Sequence, residues 1–314
     1  MNIVDFDLCH VAGATCIAKN QLDDMRGRFD LPDATLPDLS GLAQGMGVAA
    51  VQDGRMMGYL VGFGPFRGMF GTWGTGHEDR FVGVFSPLQA HGVAADAPPG
   101  TWQRMYQAAA EKWAAAGAGY HALALYEGDA VGKREFFRYG FGQRCADAVR
   151  RVTPLQAEDV PGVTVCELPA GSGEAVRSLR EALDIHLCQS PCFMLRNSKS
   201  REAWLNEVAH RQSRLFVAKA DGRVIAFIEV AEEGENLLTM GEDILNICGA
   251  YCVPEWRGKG VSWLLLARVL DALGAEGVRW LGVDYETMNP TAVGFWEKYF
   301  TPYTASLVRR IDKI

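Results

Sequence analysis

Alternating apolar and polar positions divide the second half of the chain into strands and helices. Apolar runs rich in β-branched and aromatic residues predict strands at 162–168, 215–219, 224–230, 244–253, 279–285 and 303–311. Helical spacing of apolar residues predicts helices at 174–187, 201–211, 258–275 and 290–299. The resulting order is a β-hairpin followed by two strand–helix units. This order favours a mixed α/β fold, with a central sheet flanked by helices.

Several landmarks of this pattern occur twice along the chain. Asp53-Gly54 joins two apolar runs, as Asp221-Gly222 does later, and Asp-Gly is typical of a tight hairpin turn. Tyr126-Glu127 and Tyr285-Glu286 each follow an apolar run and lie 159 positions apart. The repeat predicts two tandem domains of one fold, residues 1–153 and 162–314.

The first half also carries its own versions of the central strand and the next helix. Residues 81–94 contain the predicted central strand. The helix that follows has an aromatic stripe at helical spacing, formed by Trp102, Met105, Tyr106, Ala109 and Trp113. We interpret this stripe as core rather than as a cofactor site.

Composition and charge narrow the possible functions. The 314 residues are 48% hydrophobic and carry 31 basic and 38 acidic side chains, a net charge of −7. An acidic chain without a basic run is a poor candidate for nucleic-acid binding. No apolar run approaches the ~18 residues that span a bilayer, and the N-terminus lacks a signal-peptide pattern, so we expect a cytoplasmic protein. The eight cysteines lack zinc-ligand spacing, so we expect them to be reduced and no metal to be bound.

One segment has the pattern of a phosphate site. It runs Tyr251-Cys252-Val253-Pro254-Glu255-Trp256-Arg257-Gly258-Lys259-Gly260-Val261-Ser262, where a predicted strand ends and a leucine-rich helix begins. Backbone N–H groups at a helix N-terminus attract anions, and glycines let an anion approach the backbone closely. The spacing matches neither a P-loop nor a dinucleotide-binding fingerprint.

These residues resemble the GNAT superfamily of acyl-CoA-dependent N-acetyltransferases. The family's pyrophosphate loop, [Arg/Gln]-x-x-Gly-x-[Gly/Ala], is similar to Arg257-Gly258-Lys259-Gly260-Val261-Ser262, with Ser262 as a departure. A family helix motif is similar to Asn289-Pro290-Thr291-Ala292-Val293-Gly294-Phe295-Trp296. The first half lacks a comparable loop, since residues 94–100 hold an acid, two prolines and no cation. The resemblance therefore implies two tandem GNAT-like domains, of which the first is degenerate.

The resemblance also implies roles for individual residues. The CoA pyrophosphate would be held by Arg257, Gly258, Lys259, Gly260, Val261 and Ser262. The pantetheine would lie along Tyr251, Cys252 and Val253, and a backbone N–H near Val253 would polarise the thioester carbonyl. Asn289 and Trp296 would contact CoA from the last helix. Asn289 is equally suited to cap that helix before Pro290.

The general acid and base are less clearly marked. Many family members use a tyrosine at the position of Trp296, and Tyr299 is the nearby candidate acid, with Tyr303 as an alternative. The predicted central strand carries no carboxylate, so Glu286 is the candidate base, with Glu229, Asp243 and Asp284 as alternatives. Because Tyr126-Glu127 repeats the pair in the half without a phosphate loop, a structural role for Glu286 is also open.

A final charge feature concerns the substrate. Between Arg223 and Arg257 the chain has no lysine or arginine but seven acidic residues, which would attract a cationic amine or simply form a solvated loop. We expect an N-acetyltransferase that uses acetyl-CoA and a small cationic or peptide amine, in a monomer or homodimer. The alternative is a non-catalytic acyl-CoA-binding sensor or scaffold. In the enzyme, the first domain would form a wall of the site. A third hypothesis makes the first domain a partner-binding or dimerising module.

Overall fold

The structure is a computed structural model that describes residues 1–72, 75–195, 204–206, 208 and 212–312. Within these residues the α-helices are α1 (Val11–Arg28), α2 (Thr101–Ala115), α3 (Ala130–Arg138), α4 (Arg177–Cys188), α5 (Val261–Ala275) and α6 (Pro290–Tyr299). The strands are β1 (Asn2–Asp5), β2 (Met46–Gln52), β3 (Arg55–Phe66), β4 (Gly83–Ser86), β5 (His91–Val93), β6 (Tyr120–Tyr126), β7 (Gly142–Arg151), β8 (Val163–Glu167), β9 (Arg214–Ala220), β10 (Arg223–Ala231), β11 (Ile244–Cys252), β12 (Trp280–Glu286), β13 (Thr301–Pro302) and β14 (Thr304–Arg310). The helix predicted at 201–211 lies mostly outside the described residues. No helix in the described ranges is both long and apolar enough to cross a membrane.

The chain packs into two compact units. The first consists of Met1–Ala146 and Pro302–Ile314, and the second of Asp147–Thr301. This division differs from the predicted domains 1–153 and 162–314. The physical reason is that β14 pairs along its whole length with β6, which puts the C-terminal strand in the first unit.

The first unit is a mixed sheet in the order β1-β2-β3-β4-β6-β14, with helices packed on it. The predicted aromatic stripe of α2 is core: Trp113 is fully buried among the hydrophobic residues of this unit. The segment predicted to contain the central strand holds two strands, because Pro87 starts a turn in which the Ala90 N–H donates to the Pro87 carbonyl. β5 then pairs with β3.

The second unit has the strand order β8-β9-β10-β11-β12, followed by the C-terminal part of β7. Its β9–β10 hairpin turns at Asp221 (φ 49°) and Gly222 (φ 74°), and the first unit repeats this turn at Asp53 (φ 51°) and Gly54 (φ 75°). Two consecutive left-handed residues define the type I′ turn that Asp-Gly favours. The structure therefore contains both hairpins that the sequence predicts.

The separation of β11 from β12 positions the candidate site. These strands pair in parallel from Ile244↔Trp280 to Ile247↔Val283. Both strands continue beyond this point, to Cys252 and Glu286, with no further pairing between them in the described part of the chain. The edge of β11 that faces away from β10 is therefore open over its last residues.

Candidate active site

The glycine-rich loop connects the end of β11 to the start of α5. Gly258 and Gly260 have φ angles of 72° and 85°, which place both in the left-handed region that favours glycine. The helix begins at Val261, directly after Gly260, so its first N–H groups lack intrahelical acceptors and carry partial positive charge. These features give the loop the geometry of an anion site.

Arg257 fixes this loop to the strand before it. Its Nε donates a hydrogen bond of 2.9 Å to the carbonyl of Cys252, the last residue of β11. Its guanidinium carbon lies 5.2 Å from the centre of the Tyr251 ring, within range of a cation–π contact. The arginine therefore has both a structural contact and a positive charge beside the loop.

A cleft of about 670 Å³ opens beside the loop, a volume in the range of ordinary ligand sites. Its walls come from α4, β10, β11, the loop itself and the helices α5 and α6. Arg257 and Lys298 are basic lining residues, and none of the lining residues in the described part of the chain is acidic. Such a cleft favours an anionic ligand with an apolar portion.

The structure brings most of the predicted CoA-binding residues to this cleft. Those that line it are Tyr251, Cys252, Arg257, Gly258, Gly260, Val261, Ser262, Asn289 and Trp296. Val253 and Lys259 do not line it. Lys259 is exposed, with its Nζ 5.2 Å from the centre of the Trp256 ring.

That a backbone N–H near Val253 polarises the thioester carbonyl stays a prediction, but the N–H of Val253 itself is not available for this role. That N–H donates a 2.9 Å hydrogen bond to the carbonyl of Ile225 on β10, so it is already used in the sheet. N–H groups alternate sides along a strand, which places those of Ala250 and Cys252 on the opposite, open edge. The Cys252 carbonyl points the same way, since Arg257 reaches it there.

Asn289 is the N-cap of α6. Its Oδ1 accepts hydrogen bonds from the Thr291 N–H (3.2 Å) and the Thr291 hydroxyl (2.7 Å). The residue is 7% exposed and also lines the cleft. The capping role is therefore real, and it is compatible with a contact to a ligand in the cleft.

Sequence reasoning missed the wall that α4 provides. Leu183 and His186 line the cleft, and the His186 Nε2 lies 3.3 Å from the Thr291 hydroxyl on α6. Their spacing of three residues puts both on one helix face, which is a detectable signal. That signal alone does not say which strand the face covers.

A second cavity lies where β11 and β12 separate. It measures about 210 Å³ and is lined by Asp147, Glu233, Glu235, Thr239, Asn246, Ile247, Cys248, Val283 and Asp284. Four of these residues are carboxylic acids, and none of the lining residues that the structure describes is basic. We refer to it as the acidic cavity.

Asp284 is a lining residue of this cavity with a raised pKa. Desolvation by the surrounding protein raises the pKa of Asp284 to about 7, and the charges of Glu235 and Asp147 add to the effect. The side chain still meets solvent, because it opens into the cavity. A carboxyl group with this pKa exchanges protons near neutral pH.

Only part of the acidic interval that the sequence marks between Arg223 and Arg257 reaches this cavity. Glu233 and Glu235 line it. Glu229 is buried elsewhere and accepts a 3.0 Å hydrogen bond from the Trp204 Nε1. Asp243 pairs with Arg279 at 2.5 Å. The other two lining acids, Asp147 on β7 and Asp284 on β12, come from outside the interval.

The two predicted catalytic residues occupy different places. Tyr299 lines the cleft, with its ring centre 5.1 Å from that of Phe295. Glu286 ends β12 and lines neither the cleft nor the acidic cavity. After burial, the Glu286 charge is the second factor that raises the pKa of the Cys192 thiol. The catalytic roles of Tyr299 and Glu286 stay predictions.

One group of potential metal ligands lies far along the chain from these residues. Ligand atoms of Asp7, Cys9 and His10 fall within 4.8 Å of one another. The Cys9 N–H donates to the Asp7 carboxylate (2.8 Å), and the Asp7 N–H donates to the His10 Nδ1 (3.1 Å). These bonds cap a short helix, which explains the cluster without a metal.

Comparison with known proteins agrees with this geometry. Residues 180–300 match the model of the acetyltransferase (GNAT) family. The second half of the chain contains a GNAT domain. A search of curated proteins found no match.

Solved structures extend the comparison to the whole chain. A GCN5-related N-acetyltransferase from Sphaerobacter thermophilus is 16% identical, with a TM-score of 0.62 over 99% of this chain and 96% of that one. A GCN5-related glucosamine N-acetyltransferase region of a fungal multi-domain GH3 β-N-acetylglucosaminidase is also 16% identical. Its TM-score is 0.53, over 98% of this chain and 38% of that one. At these identities the similarity establishes the fold around the GNAT domain.

Proposed function

We propose that the chain is an N-acetyltransferase that transfers the acetyl group of acetyl-CoA to a primary amine. The observation that carries the proposal is the cleft of the GNAT domain. It joins a helix N-terminus, two left-handed glycines and two basic side chains, and its described lining residues include no acid. The match of residues 180–300 to the acetyltransferase (GNAT) family supports acyl transfer, and the basic lining and volume of the cleft support an acyl donor as its ligand.

The residues of the cleft suit the parts of acetyl-CoA. The pyrophosphate would accept hydrogen bonds from the N–H groups at the start of α5 and meet the positive charge of Arg257. The pantetheine would lie along the open edge of β11, where the N–H groups of Ala250 and Cys252 point away from β10 and can donate to its amide carbonyls. The thioester would then reach the point where β11 and β12 separate.

The reaction itself needs three groups. The neutral amine attacks the thioester carbonyl, the oxyanion that forms is stabilised by a backbone N–H, and the CoA thiolate leaves and takes up a proton. The N–H groups of Ala250 and Cys252 are the candidate donors to the oxyanion, because they point to the open edge. Tyr299 is the candidate proton donor to the thiolate.

Asp284 is the better placed of the carboxylates to accept the proton of the amine. Its pKa of about 7 leaves a useful fraction ionised at neutral pH, and it lies beside the strand separation. Glu286 lies two positions further along β12 and therefore on the same face of the strand.

We propose that the first unit does not bind acyl-CoA. It is degenerate in this sense. Its helix α2 also begins after a left-handed glycine, Gly100, with a φ of 86°. The loop before it presents Asp96, which forms an ion pair with Arg55. An anion would therefore meet a carboxylate and a neutralised arginine there.

A thiol-release assay tests the proposal. The full chain would be mixed with acetyl-CoA and a panel of primary amines, and free CoA thiol would be followed with a thiol reagent. Turnover of at least one amine above the hydrolytic background is expected, and Arg257→Ala should reduce it. Tight acetyl-CoA binding without turnover across the panel would instead favour the non-catalytic binding protein.

A further inference from the structure

His186 on α4 is a polar side chain of the cleft that the proposed reaction does not use. It lines the cleft together with Thr291 of α6. Its Nε2 lies 3.3 Å from the Thr291 hydroxyl oxygen, and its ring centre lies 6.4 Å from that of Tyr251. Because Tyr251 lies between Ala250 and Cys252 in β11, the imidazole is held beside the strand whose open edge carries the candidate N–H donors.

The hydrogen bonds at the start of α6 determine which nitrogen of His186 carries the proton. The Oδ1 of Asn289 accepts both the N–H and the hydroxyl hydrogen of Thr291, at 3.2 and 2.7 Å. A threonine hydroxyl has a single hydrogen, so towards His186 its oxygen can only accept. The Nε2 of His186 is therefore the donor, and in the neutral imidazole the lone pair lies on Nδ1.

This Nδ1 is available to a ligand in the cleft. Within residues 1–72, 75–195, 204–206, 208 and 212–312, it has no hydrogen-bond partner. The neighbouring Oδ1 of Asn289 is already engaged by the two bonds from Thr291. Since no acidic residue of the described chain lines the cleft, His186 supplies a fixed neutral acceptor there.

The pantetheine arm of CoA needs such an acceptor. Each of its amides has a carbonyl that accepts and an N–H that donates. The N–H groups of Ala250 and Cys252 can serve the carbonyls, but one N–H cannot serve another. An amide N–H that is buried without an acceptor weakens binding, because its hydrogen bond to water is lost and not replaced.

We propose that the Nδ1 of His186 accepts a hydrogen bond from an amide N–H of the pantetheine arm, in the tautomer that Thr291 and Asn289 impose. The inference rests on the proposed function, because it places CoA in the cleft. It deepens that function by assigning recognition of the pantetheine to α4 as well as to β11. His186 is then a binding residue and Thr291 a positioning residue.

Calorimetric titration of the full chain tests the inference without requiring catalysis. The ligands are CoA and its nucleotide half, adenosine 3′-phosphate 5′-diphosphate, which lacks the pantetheine. His186→Gln keeps a donor near the position of Nε2 and removes the acceptor, whereas His186→Asn keeps an oxygen at the position of Nδ1. We expect His186→Gln to bind CoA about tenfold more weakly and the nucleotide as tightly as the wild type does. His186→Asn should recover part of the affinity for CoA.

Variants at two other positions complete the test. Ile185→Gln changes an exposed neighbour on α4 that does not line the cleft, so both affinities should match those of the wild type. Thr291→Val removes the oxygen that fixes the tautomer and should selectively weaken CoA binding, which keeps the inference testable if His186→Gln does not fold. Thr291→Ser retains the hydroxyl and should restore the affinity.

Several results would overturn the inference. They are an unchanged CoA affinity in His186→Gln, an equal loss of affinity for CoA and the nucleotide, and a loss that Ile185→Gln shares. A His186→Asn variant that binds CoA no more tightly than His186→Gln would also contradict the role of Nδ1. In each case, binding of CoA to the wild-type protein leaves the proposed function intact. Absence of that binding would instead remove the proposed function, and the inference with it.

Discussion

Gly258 offers a direct test of the loop because the chain contains a close geometric match for it. Gly258 has a φ of 72° and Gly222, in the β9–β10 turn, has a φ of 74°. An added Cβ would have no neighbouring atom within 4 Å at either position. Replacing either glycine by alanine therefore introduces the same backbone strain and no steric clash. The two sites differ in that only Gly258 lines the cleft.

The expected cost follows from the left-handed conformation. An L-residue pays about 1–2 kcal/mol to adopt it, so Gly222→Ala should lower the free energy of unfolding by about that amount, and Gly258→Ala by that amount or less. A loop that relaxes in the free Gly258→Ala protein relieves part of this strain, and acetyl-CoA must restore the native shape on binding. The 1–2 kcal/mol is then divided between lost stability and lost affinity, so we expect an affinity weaker by up to about 5-fold to 30-fold, in Gly258→Ala alone.

Denaturant unfolding would measure the stability of both variants, and calorimetry would measure their affinity for acetyl-CoA. A selective loss of affinity in Gly258→Ala, with a loss of stability no larger than that of Gly222→Ala, supports the loop as the phosphate site. Unchanged affinity in Gly258→Ala would refute the reasoning, as would an equal loss in Gly222→Ala, which would indicate a general effect of destabilisation.

Three further variants probe the remaining groups. Since the folded-state pKa of Asp284 is raised to about 7, its ionised form is destabilising above that pH, so Asp284→Asn should melt higher than the wild type at pH 8 while losing activity. The difference in melting temperature should disappear as the pH falls towards 4. Thermal unfolding measured across this pH range tests the prediction, and a difference that stays constant with pH would contradict the raised pKa of Asp284. Tyr299→Phe should lower kcat by about 10²-fold with little change in acetyl-CoA affinity, because it removes the proton donor to the thiolate. Steady-state kinetics would measure kcat, and an unchanged kcat would contradict this role. Arg214 donates hydrogen bonds to Glu167 (2.7 and 2.8 Å) and Glu276 (2.6 and 2.8 Å), so Arg214→Ala should lower the free energy of unfolding by about 1–2 kcal/mol. Salt should reduce this loss, and urea unfolding curves whose difference does not depend on salt would contradict the prediction.

The parts of the fold that the sequence predicted well depend on local chemistry. Asp53-Gly54 and Asp221-Gly222 predict hairpins because few residues other than glycine, asparagine and aspartate tolerate two left-handed positions in succession. The loop before α5 was recognisable for a related reason. Gly258 and Gly260 are needed there for positive φ, and their spacing beside Arg257 indicates an anion site.

The parts that sequence reasoning missed depend on register and on distant contacts. Whether the Val253 N–H points to β10 or to the open edge depends on the pairing of β10 with β11, which contains a bulge between Glu229 and Val230. A shift of one residue in that register reverses the direction of the Val253 N–H, and the apolar pattern of the sequence does not determine the register. Similarly, Asp147 and Asp284 meet in one cavity only because β7 lies next to β12.

The central claim is that the cleft of the GNAT domain binds the acyl donor through its glycine-rich loop. A calorimetric titration of the full chain with acetyl-CoA, repeated with Arg257→Glu, tests it most directly. The account predicts one site per chain and an affinity at least about tenfold weaker in the variant, because the new carboxylate would repel the pyrophosphate. No binding to the wild type, or equal binding to both proteins, would contradict the claim.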